Sequence, residues 1–170
     1  MLNKENNYAF IDAQNLHLGV KVLGWKLDWA KFRVYLKDKY HVDTAYLFIG
    51  FVSANSNLYR MLQKYGYILI FKPTVANKKG EVKGNVDAEL VLQVMIEYEN
   101  YDKAIIISSD GDFHCVVDYL YKKSKLKKVI SPCKKYCSVL LNKASRELIV
   151  YLDNMNKKLE FKNKKAPQQD

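Results

Sequence analysis

Cysteine, long apolar runs and an apolar N-terminus are what this sequence most clearly lacks. Its three cysteines are too few for the disulfide framework of a small secreted domain. No apolar run approaches the ~20 residues that a membrane-spanning helix requires. Residues 1–7 are polar, where a signal peptide would need an apolar segment. These absences exclude a transmembrane protein, and we expect the chain to work in a reducing, cytoplasmic setting.

Acidic residues are the minority charge in a strongly basic chain. Lysines and arginines number 28 against 18 aspartates and glutamates, which gives a net charge of +10. Such a balance favours a polyanionic partner, either nucleic acid or an anionic membrane surface. Only three of the basic residues are arginines, however, and a chain rich in Lys, Asn, Ile and Tyr is also what an AT-rich genome encodes. Composition alone leaves both explanations open.

Short apolar runs alternate with segments of helical spacing along most of the chain. Near-continuous apolar runs are typical of strands buried on both faces of a parallel sheet. Such runs occupy residues 8–11, 46–52, 67–71 and 104–107, with a shorter candidate at 129–130. Helical spacing covers residues 28–39, 54–65, 85–99 and 111–123, and another helix is expected after Pro132. The alternation predicts an α/β fold whose strands are joined by right-handed crossovers.

The length of 170 residues suits one domain with a tail. We expect the domain over residues 1–156 and a basic, disordered tail over 157–170, where Lys, Asn and Gln dominate. Within the domain, residues 72–84 form a polar segment with Pro73 and two glycines. This segment is long for a strand-to-helix connection, and loops of that length are often functional or mobile.

Aspartates fall where predicted strands end and predicted helices begin. Asp12 closes the first strand, Asp110 and Asp112 follow the 104–107 strand, and Asp87 lies in the first turn of the helix after the polar segment. Ligands of parallel α/β sheets bind along this edge. Each aspartate alone is explained by helix capping, but several converging carboxylates repel one another unless a cation neutralises them. Oxygen ligands without a His or Cys set suit Mg²⁺ or Mn²⁺, so the predicted chemistry is phosphoryl transfer or hydrolysis.

Three motifs around these aspartates resemble a known family. They are Phe10–Leu16 (FIDAQNL), Lys83–Asp87 (KGNVD) and Ser108–Phe113 (SSDGDF). In order, spacing and strand context they are similar to the NYN domain of the LabA-like branch, within the PIN-like nuclease superfamily, over roughly residues 6–152.

The resemblance implies a PIN-like, Rossmann-like fold, with a three-layer α/β/α sandwich around a central, mainly parallel sheet. It also implies a metal-dependent ribonuclease site that acts on RNA. On matching positions Asp12, Asp87, Asp110 and Asp112 would be metal-site acids, and Asn15 would be a polar member of the pocket. We therefore predict an endoribonuclease that uses Mg²⁺ or Mn²⁺ to hydrolyse single-stranded or unpaired RNA.

One position departs from the family pattern. Many relatives carry a second acid two turns into the helix after the Lys-Gly motif, where this chain has Gln93. That departure favours an alternative, a PIN-like module that binds RNA or a protein without cleaving it. A receiver-like phospho-acceptor is disfavoured, because it needs an aspartate at the end of the central strand, where this chain has Gly50 and Phe51. The sequence leaves open whether the chain forms a homo-oligomer.

A basic stretch supplies further candidates for RNA contact. Between Asp118 and Glu147 lie eight lysines and Arg146 but no acid, with tyrosines interleaved. Lysines neutralise phosphates and tyrosines stack on unpaired bases, yet a solvated surface explains the stretch equally well. Lysines of the polar segment flank Asp87, and two serines either support the acidic loop or offer hydroxyls to metal or phosphate. The predicted RNA contacts are Lys79, Lys83, Lys122, Lys123, Lys128, Ser108 and Ser109.

Other site chemistries have little support in the sequence. Cys133 and Cys137 are one helical turn apart and His114 precedes Cys115, but no paired Cys-x-x-Cys spacing is present, so zinc is disfavoured. No histidine stands in a triad-like arrangement with a serine, and neither glycine-rich nucleotide-binding motif occurs. The acidic residues therefore remain the strongest candidates for catalysis.

Overall fold

A central sheet of six strands organises the molecule, which was obtained as a computed structural model. The structure describes residues 5–72, 75–76, 82–83 and 86–163. The strands are β1 (Asn7–Asp12), β2 (Val42–Gly50), β3 (Tyr67–Lys72), β4 (Val75–Ala76), β5 (Val82–Lys83), β6 (Ala104–Ile107), β7 (Leu126–Ser131) and β8 (Ile149–Tyr151). The helices are α1 (Ala13–Val22), α2 (Trp29–Tyr40), α3 (Ser56–Lys64), α4 (Asp87–Ile96), α5 (His114–Lys122), α6 (Val139–Ser145) and α7 (Asn156–Leu159).

The apolar runs form strands that are covered on both faces. Along β1, Ala9 and Ile11 face one layer of helices while Phe10 faces the other, and all three side chains are fully buried. Helices α1, α2, α3 and α7 contribute to the core on the first face, and α4, α5 and α6 contribute to the core on the second. Every strand pair in the six-stranded sheet is parallel. The predicted three-layer α/β/α sandwich is confirmed.

The strand order places a crevice at the middle of the sheet. The order is β3-β2-β1-β6-β7-β8, so the chain builds outward from β1 to β3 and then crosses back to β6, on the other side of β1. Helix α4 lies within that crossover. Connections that leave the carboxyl ends of β1 and β6 therefore diverge, which is the place where open α/β sheets bind ligands. Of the predicted site regions, Asp12 is the last residue of β1 and residues 108–113 directly follow β6.

Two predictions about the ends and connections of the chain need correction. The prediction of a disordered tail from Lys157 is wrong for residues 157–160, because α7 forms there and its Leu159 is fully buried. Backbone hydrogen bonds from Asp28 N to Leu159 O (2.8 Å) and from Phe161 N to Lys26 O (2.8 Å) fasten this segment to the loop before α2. Residues 164–170 lie outside the described part of the chain.

The polar segment 72–84 contains regular structure that its composition did not predict. Strands β4 and β5 pair antiparallel inside it and form a separate two-stranded sheet. Residues 73–74, 77–81 and 84–85 lie outside the described residues, so the predicted mobility of the segment stays a prediction. Among the helices that the structure describes, none is long and apolar enough to cross a membrane.

Candidate metal centre at the carboxyl edge of the sheet

Asp12 ends β1 and begins α1 at the same time. Its Oδ1 accepts a hydrogen bond from the backbone N–H of Asn15 (3.0 Å), so Asp12 is the N-cap of α1, which is one of the roles that the sequence left open. The side chain is only 6% exposed. Burial raises the pKa of Asp12 to about 6, the neighbouring carboxylates of Asp87 and Asp110 push it in the same direction, and the Asn15 hydrogen bond opposes them. Asp12 is therefore both a cap and a member of an acidic cluster.

The loop after β6 holds two more aspartates in a tight turn. The Ser108 Oγ accepts a hydrogen bond from the backbone N–H of Asp110 (3.1 Å), and the Asp110 Oδ1 accepts one from the backbone N–H of Asp112 (3.0 Å). Phe113 anchors the turn because its ring is fully buried in the core. Asp110 is half-buried and Asp112 is exposed at the rim.

Asn15 ties helix α1 to this acidic loop. Its Oδ1 accepts hydrogen bonds from both the backbone N–H (2.8 Å) and the Oγ (2.9 Å) of Ser109. An uncharged acceptor at this position binds the loop without adding negative charge beside the aspartates. The sequence predicted Asn15 as a polar member of the pocket, and the structure places it in the pocket lining.

Asp87 reaches the cluster from the first turn of α4. The helix is fixed by Leu90 and Val94, which are fully buried against the sheet. One carboxylate oxygen each from Asp87, Asp110 and Asp112 lies within 4.8 Å of the other two. Beside them is a pocket of about 260 Å³, whose lining is Asp12, Gln14, Asn15, Leu18, Val86, Asp87 and Asp110.

The donor set of this cluster fits a hard divalent cation. All of its ligand atoms are carboxylate oxygens, which Mg²⁺ and Mn²⁺ prefer. None of the described residues that line the pocket is basic. In the described part of the chain, this is the one group of three or more His, Cys, Asp or Glu side chains close enough to share an ion. The cysteines and histidines form no such group there.

The predicted RNA-contacting residues do not gather at the acidic cluster. Helix α5 starts at the carboxyl edge of the sheet and runs back, so Lys122 at its end and the adjacent Lys123 lie near the amino edge. Lys128 pairs with the second residue of β6 and lies toward the same amino edge. Lys122 also forms a salt bridge with Asp118 (2.5 Å). The structure therefore separates these three lysines from the aspartates.

The remaining predicted contacts have mixed outcomes. Direct RNA contact by Ser108 is contradicted, because the residue is fully buried and its hydroxyl supports the acidic loop. Ser109 uses its hydroxyl to donate to Asn15. Lys79 lies outside the described residues, and for Lys83 only the backbone is described, within β5.

Gln93 occupies the position where the resemblance implied a second acid in many relatives. Its Nε2 donates to Glu97 Oε1 (3.0 Å), and the Tyr46 hydroxyl donates to the same oxygen (2.9 Å). Gln93 is not part of the pocket lining.

Sequence reasoning missed the pocket residues Gln14 and Leu18, because α1 was not predicted. The available signal was an N-cap at Asp12 followed by Leu16 and Val20 one helical turn apart.

A sequence comparison decides the family. The NYN domain model matches residues 8–153, nearly the whole of the sheet and its helices. The chain belongs to the NYN domain family. Its place in the PIN-like superfamily follows, whereas the LabA-like branch stays a prediction. NYN domains are generally nucleases, which are hydrolases, and this NYN domain carries a cluster of three aspartates.

A solved structure shares the fold of this NYN domain. The crystal structure of VPA0982, a protein of unknown function from Vibrio parahaemolyticus RIMD 2210633, matches with a TM-score of 0.79. The alignment covers 95% of this chain and 99% of that chain, at 19% sequence identity. At that identity the likeness establishes the fold alone. No curated protein matches the sequence.

Proposed function

We propose that this NYN domain is a metal-dependent endoribonuclease that hydrolyses phosphodiester bonds of single-stranded or unpaired RNA. The observation that carries the proposal is the convergence of Asp87, Asp110 and Asp112 within 4.8 Å, beside the buried Asp12. They meet at the crevice between the carboxyl ends of β1 and β6, where the direction of the strand order reverses. Membership of a family whose domains are generally nucleases supports it. A cytoplasmic setting, expected from the sequence, is part of the same proposal.

The four aspartates would hold Mg²⁺ or Mn²⁺. When bound, the cation would withdraw electron density from the phosphodiester and activate water for attack on phosphorus. Asp12 retains a proton up to about pH 6 because of its burial and its acidic neighbours. Because cation binding would require an ionised carboxylate at Asp12, affinity for the cation would fall below about pH 6.

Neighbouring polar groups hold the acids in place before any ligand arrives. Asp12 is fixed by its cap hydrogen bond, Asp110 by the Ser108 hydroxyl, and the acidic loop by the two hydrogen bonds from Ser109 to Asn15. Preorganised charges stabilise a transition state without reorganising during the reaction. We therefore assign Asn15 and Ser108 as positioning residues, and the aspartates as the groups that contact the cation.

Cleavage of a labelled RNA tests the proposal directly. The substrates are an unstructured single strand and a duplex of the same sequence, each with Mn²⁺ or with EDTA. We expect cleavage of the single strand only with Mn²⁺, and a loss of at least about 100-fold in Asp112→Asn. The matched control is Asp38→Asn, an exposed aspartate on α2, which should cleave like the wild type. Equal activity in Asp112→Asn, or cleavage that persists in EDTA, would contradict the proposal.

The alternative is an RNA-binding or regulatory module with little or no catalysis. In the sequence this alternative rested on Gln93 in place of a second acid, but Gln93 donates to Glu97 and lies outside the pocket lining, so the structure adds no support for it. RNA binding by the wild type without Mn²⁺-dependent cleavage would establish this function instead.

A further inference from the structure

The connection between β7 and α6 lies next to the acidic loop. Strand β7 is parallel to β6, so residues 132–138 leave from the same edge of the sheet as residues 108–113. Within the connection, Lys134, Lys135 and Tyr136 are exposed, and the Tyr136 side chain is 55% accessible. The basic stretch recognised in the sequence is thus divided between the two edges of the sheet, and only this part accompanies the aspartates.

Close backbone contacts fasten this connection to the acidic loop. The backbone N–H of Ser138 donates to the carbonyl of Ser109 (3.0 Å). Gly111 permits the approach, because a Cβ at this position would lie 2.4 Å from the Ser138 Oγ. Tyr136 is two residues from Ser138, so its Cα lies within about 7 Å of the Ser138 Cα. On the other side, the backbone N–H of Lys134 donates to Asp153 Oδ2 (3.0 Å).

The two lysines of the connection lie against aromatic rings. The Lys135 Nζ is 5.4 Å from the centre of the Tyr136 ring, and the Lys134 Nζ is 5.8 Å from the centre of the Tyr151 ring. Throughout the described residues, neither lysine takes part in a salt bridge. Their charges are therefore available to an external anion.

We propose that Lys134, Lys135 and Tyr136 form the docking surface for a single-stranded nucleic acid that continues into the acidic pocket. That the nucleic acid continues into the acidic pocket rests on the proposed function, whereas the docking surface itself does not. A phosphate backbone is repelled by clustered aspartates, so a nucleic acid that reaches them needs cationic neighbours. Lys134 and Lys135 are exposed lysines in the described part of the chain, on the connection that is bonded to the acidic loop. An exposed tyrosine stacks on a base only if that base is unpaired. The exposed side chains of Val139 and Leu140 extend the apolar surface available to bases.

Fluorescence anisotropy with a labelled 12-nucleotide oligouridylate tests the surface, in EDTA so that no cleavage occurs. Stacking on one base contributes enough affinity that Tyr136→Ala should weaken binding about 5- to 100-fold. Tyr136→Phe keeps the ring and should bind within about twofold of the wild type. Lys135→Gln should lower the slope of log affinity against log salt by about one. The matched control is Lys122→Gln at the amino edge, which should have the smaller effect on both quantities.

Three results would overturn the inference: no binding of the oligomer by the wild type, duplex RNA bound as tightly as the single strand, or Tyr136→Ala binding like the wild type. Preferential binding of an oligoglutamate peptide would also overturn it and assign the surface to an acidic protein. Because the assay is metal-free, its outcome is separate from that of the cleavage test. If Tyr136→Ala weakens binding but Mn²⁺ produces no cleavage, the docking surface stands and the nuclease proposal fails.

Discussion

The carboxyl group of Asp12 is nearly inaccessible to water and stands beside two other carboxylates. Its pKa rises from an ordinary value of 3.8 to about 6 in the folded protein. Between these values the folded chain keeps a proton that the unfolded chain has released, so the free energy of unfolding falls as pH increases. The whole effect is about 3 kcal/mol, absent below pH 3.8 and complete above pH 6.

Asp12→Asn should therefore stabilise the metal-free protein at neutral pH and have little effect at pH 4. Asparagine caps a helix about as well as aspartate, so the cap of α1 is kept while the buried charge is removed. The measurement is urea unfolding of both proteins in EDTA between pH 4 and pH 7. The expected difference in unfolding free energy grows with pH toward about 3 kcal/mol, and a difference that is independent of pH would contradict the assigned burial of charge.

Asn15→Ala should destabilise the protein by about 1–3 kcal/mol, because Ser109 loses the acceptor for both its backbone N–H and its hydroxyl. Urea unfolding gives the change in stability, and amide hydrogen exchange at Ser109 should accelerate. Gln14→Ala is the control, since Gln14 lines the same pocket but is exposed, and it should change stability by less than about 0.5 kcal/mol. Equal changes in stability in the two variants would contradict the positioning role of Asn15.

The aspartates of the site could be predicted from the sequence, but the hydrogen bonds that hold the site together could not. Asp12, Asp87, Asp110 and Asp112 follow from their places after strands and at a helix start, because parallel strands bring those places together. The hydrogen bonds of Asn15 to Ser109 join residues 94 positions apart, and no local pattern encodes them. Ser108 has the same type of side chain as Ser109, yet only the fold determines that it is buried.

At the level of elements, Gly111 sets how closely the acidic loop and the start of α6 approach. Gly111→Ala should destabilise the protein by about 1–3 kcal/mol, because the new Cβ would lie 2.4 Å from the Ser138 Oγ. The added variant Ser138→Gly removes that atom, and glycine is a nearly adequate N-cap, so the double variant should recover most of the loss. Urea unfolding of the four proteins in this cycle is the measurement. Additive effects would show that the two residues do not interact.

The buried strands at the centre of the sheet were predicted accurately from their apolar runs. The 104–107 run coincides with β6, all of whose residues are buried, and the 8–11 run lies within β1. Strand β8 has three half-buried residues at the edge of the sheet, and it was missed although residues 148–152 form an apolar run. Helix α1 contains Gly19, a poor helix former, which packs so closely that a Cβ would lie 2.5 Å from the Pro132 side chain. This contact between distant elements, which the sequence does not display, explains why a helix with a glycine in it was not predicted.

At the scale of the whole molecule, the positions of the charged residues show a pattern that the composition does not. The net charge of +10 correctly indicates a basic protein, but four aspartates assemble at the carboxyl edge of the sheet. The continuous basic stretch after Asp118 is split because α5 and β7 traverse the molecule in opposite directions. Lys122 therefore lies near the amino edge of the sheet and Lys135 at the carboxyl edge, although the two are 13 positions apart in sequence.

The most direct test of the metal centre is a thermal melt of the wild type, Asp87→Asn and Asp112→Asn, with millimolar Mn²⁺ or with EDTA. In EDTA both variants should melt above the wild type, because each removes one repelling charge. Mn²⁺ at a hundred times its Kd should raise the wild-type Tm by about 5–10 °C and raise that of the variants much less. Asp38→Asn, outside the cluster, should respond like the wild type. A wild-type Tm that is insensitive to Mn²⁺, together with variants that melt alongside it, would contradict the metal centre.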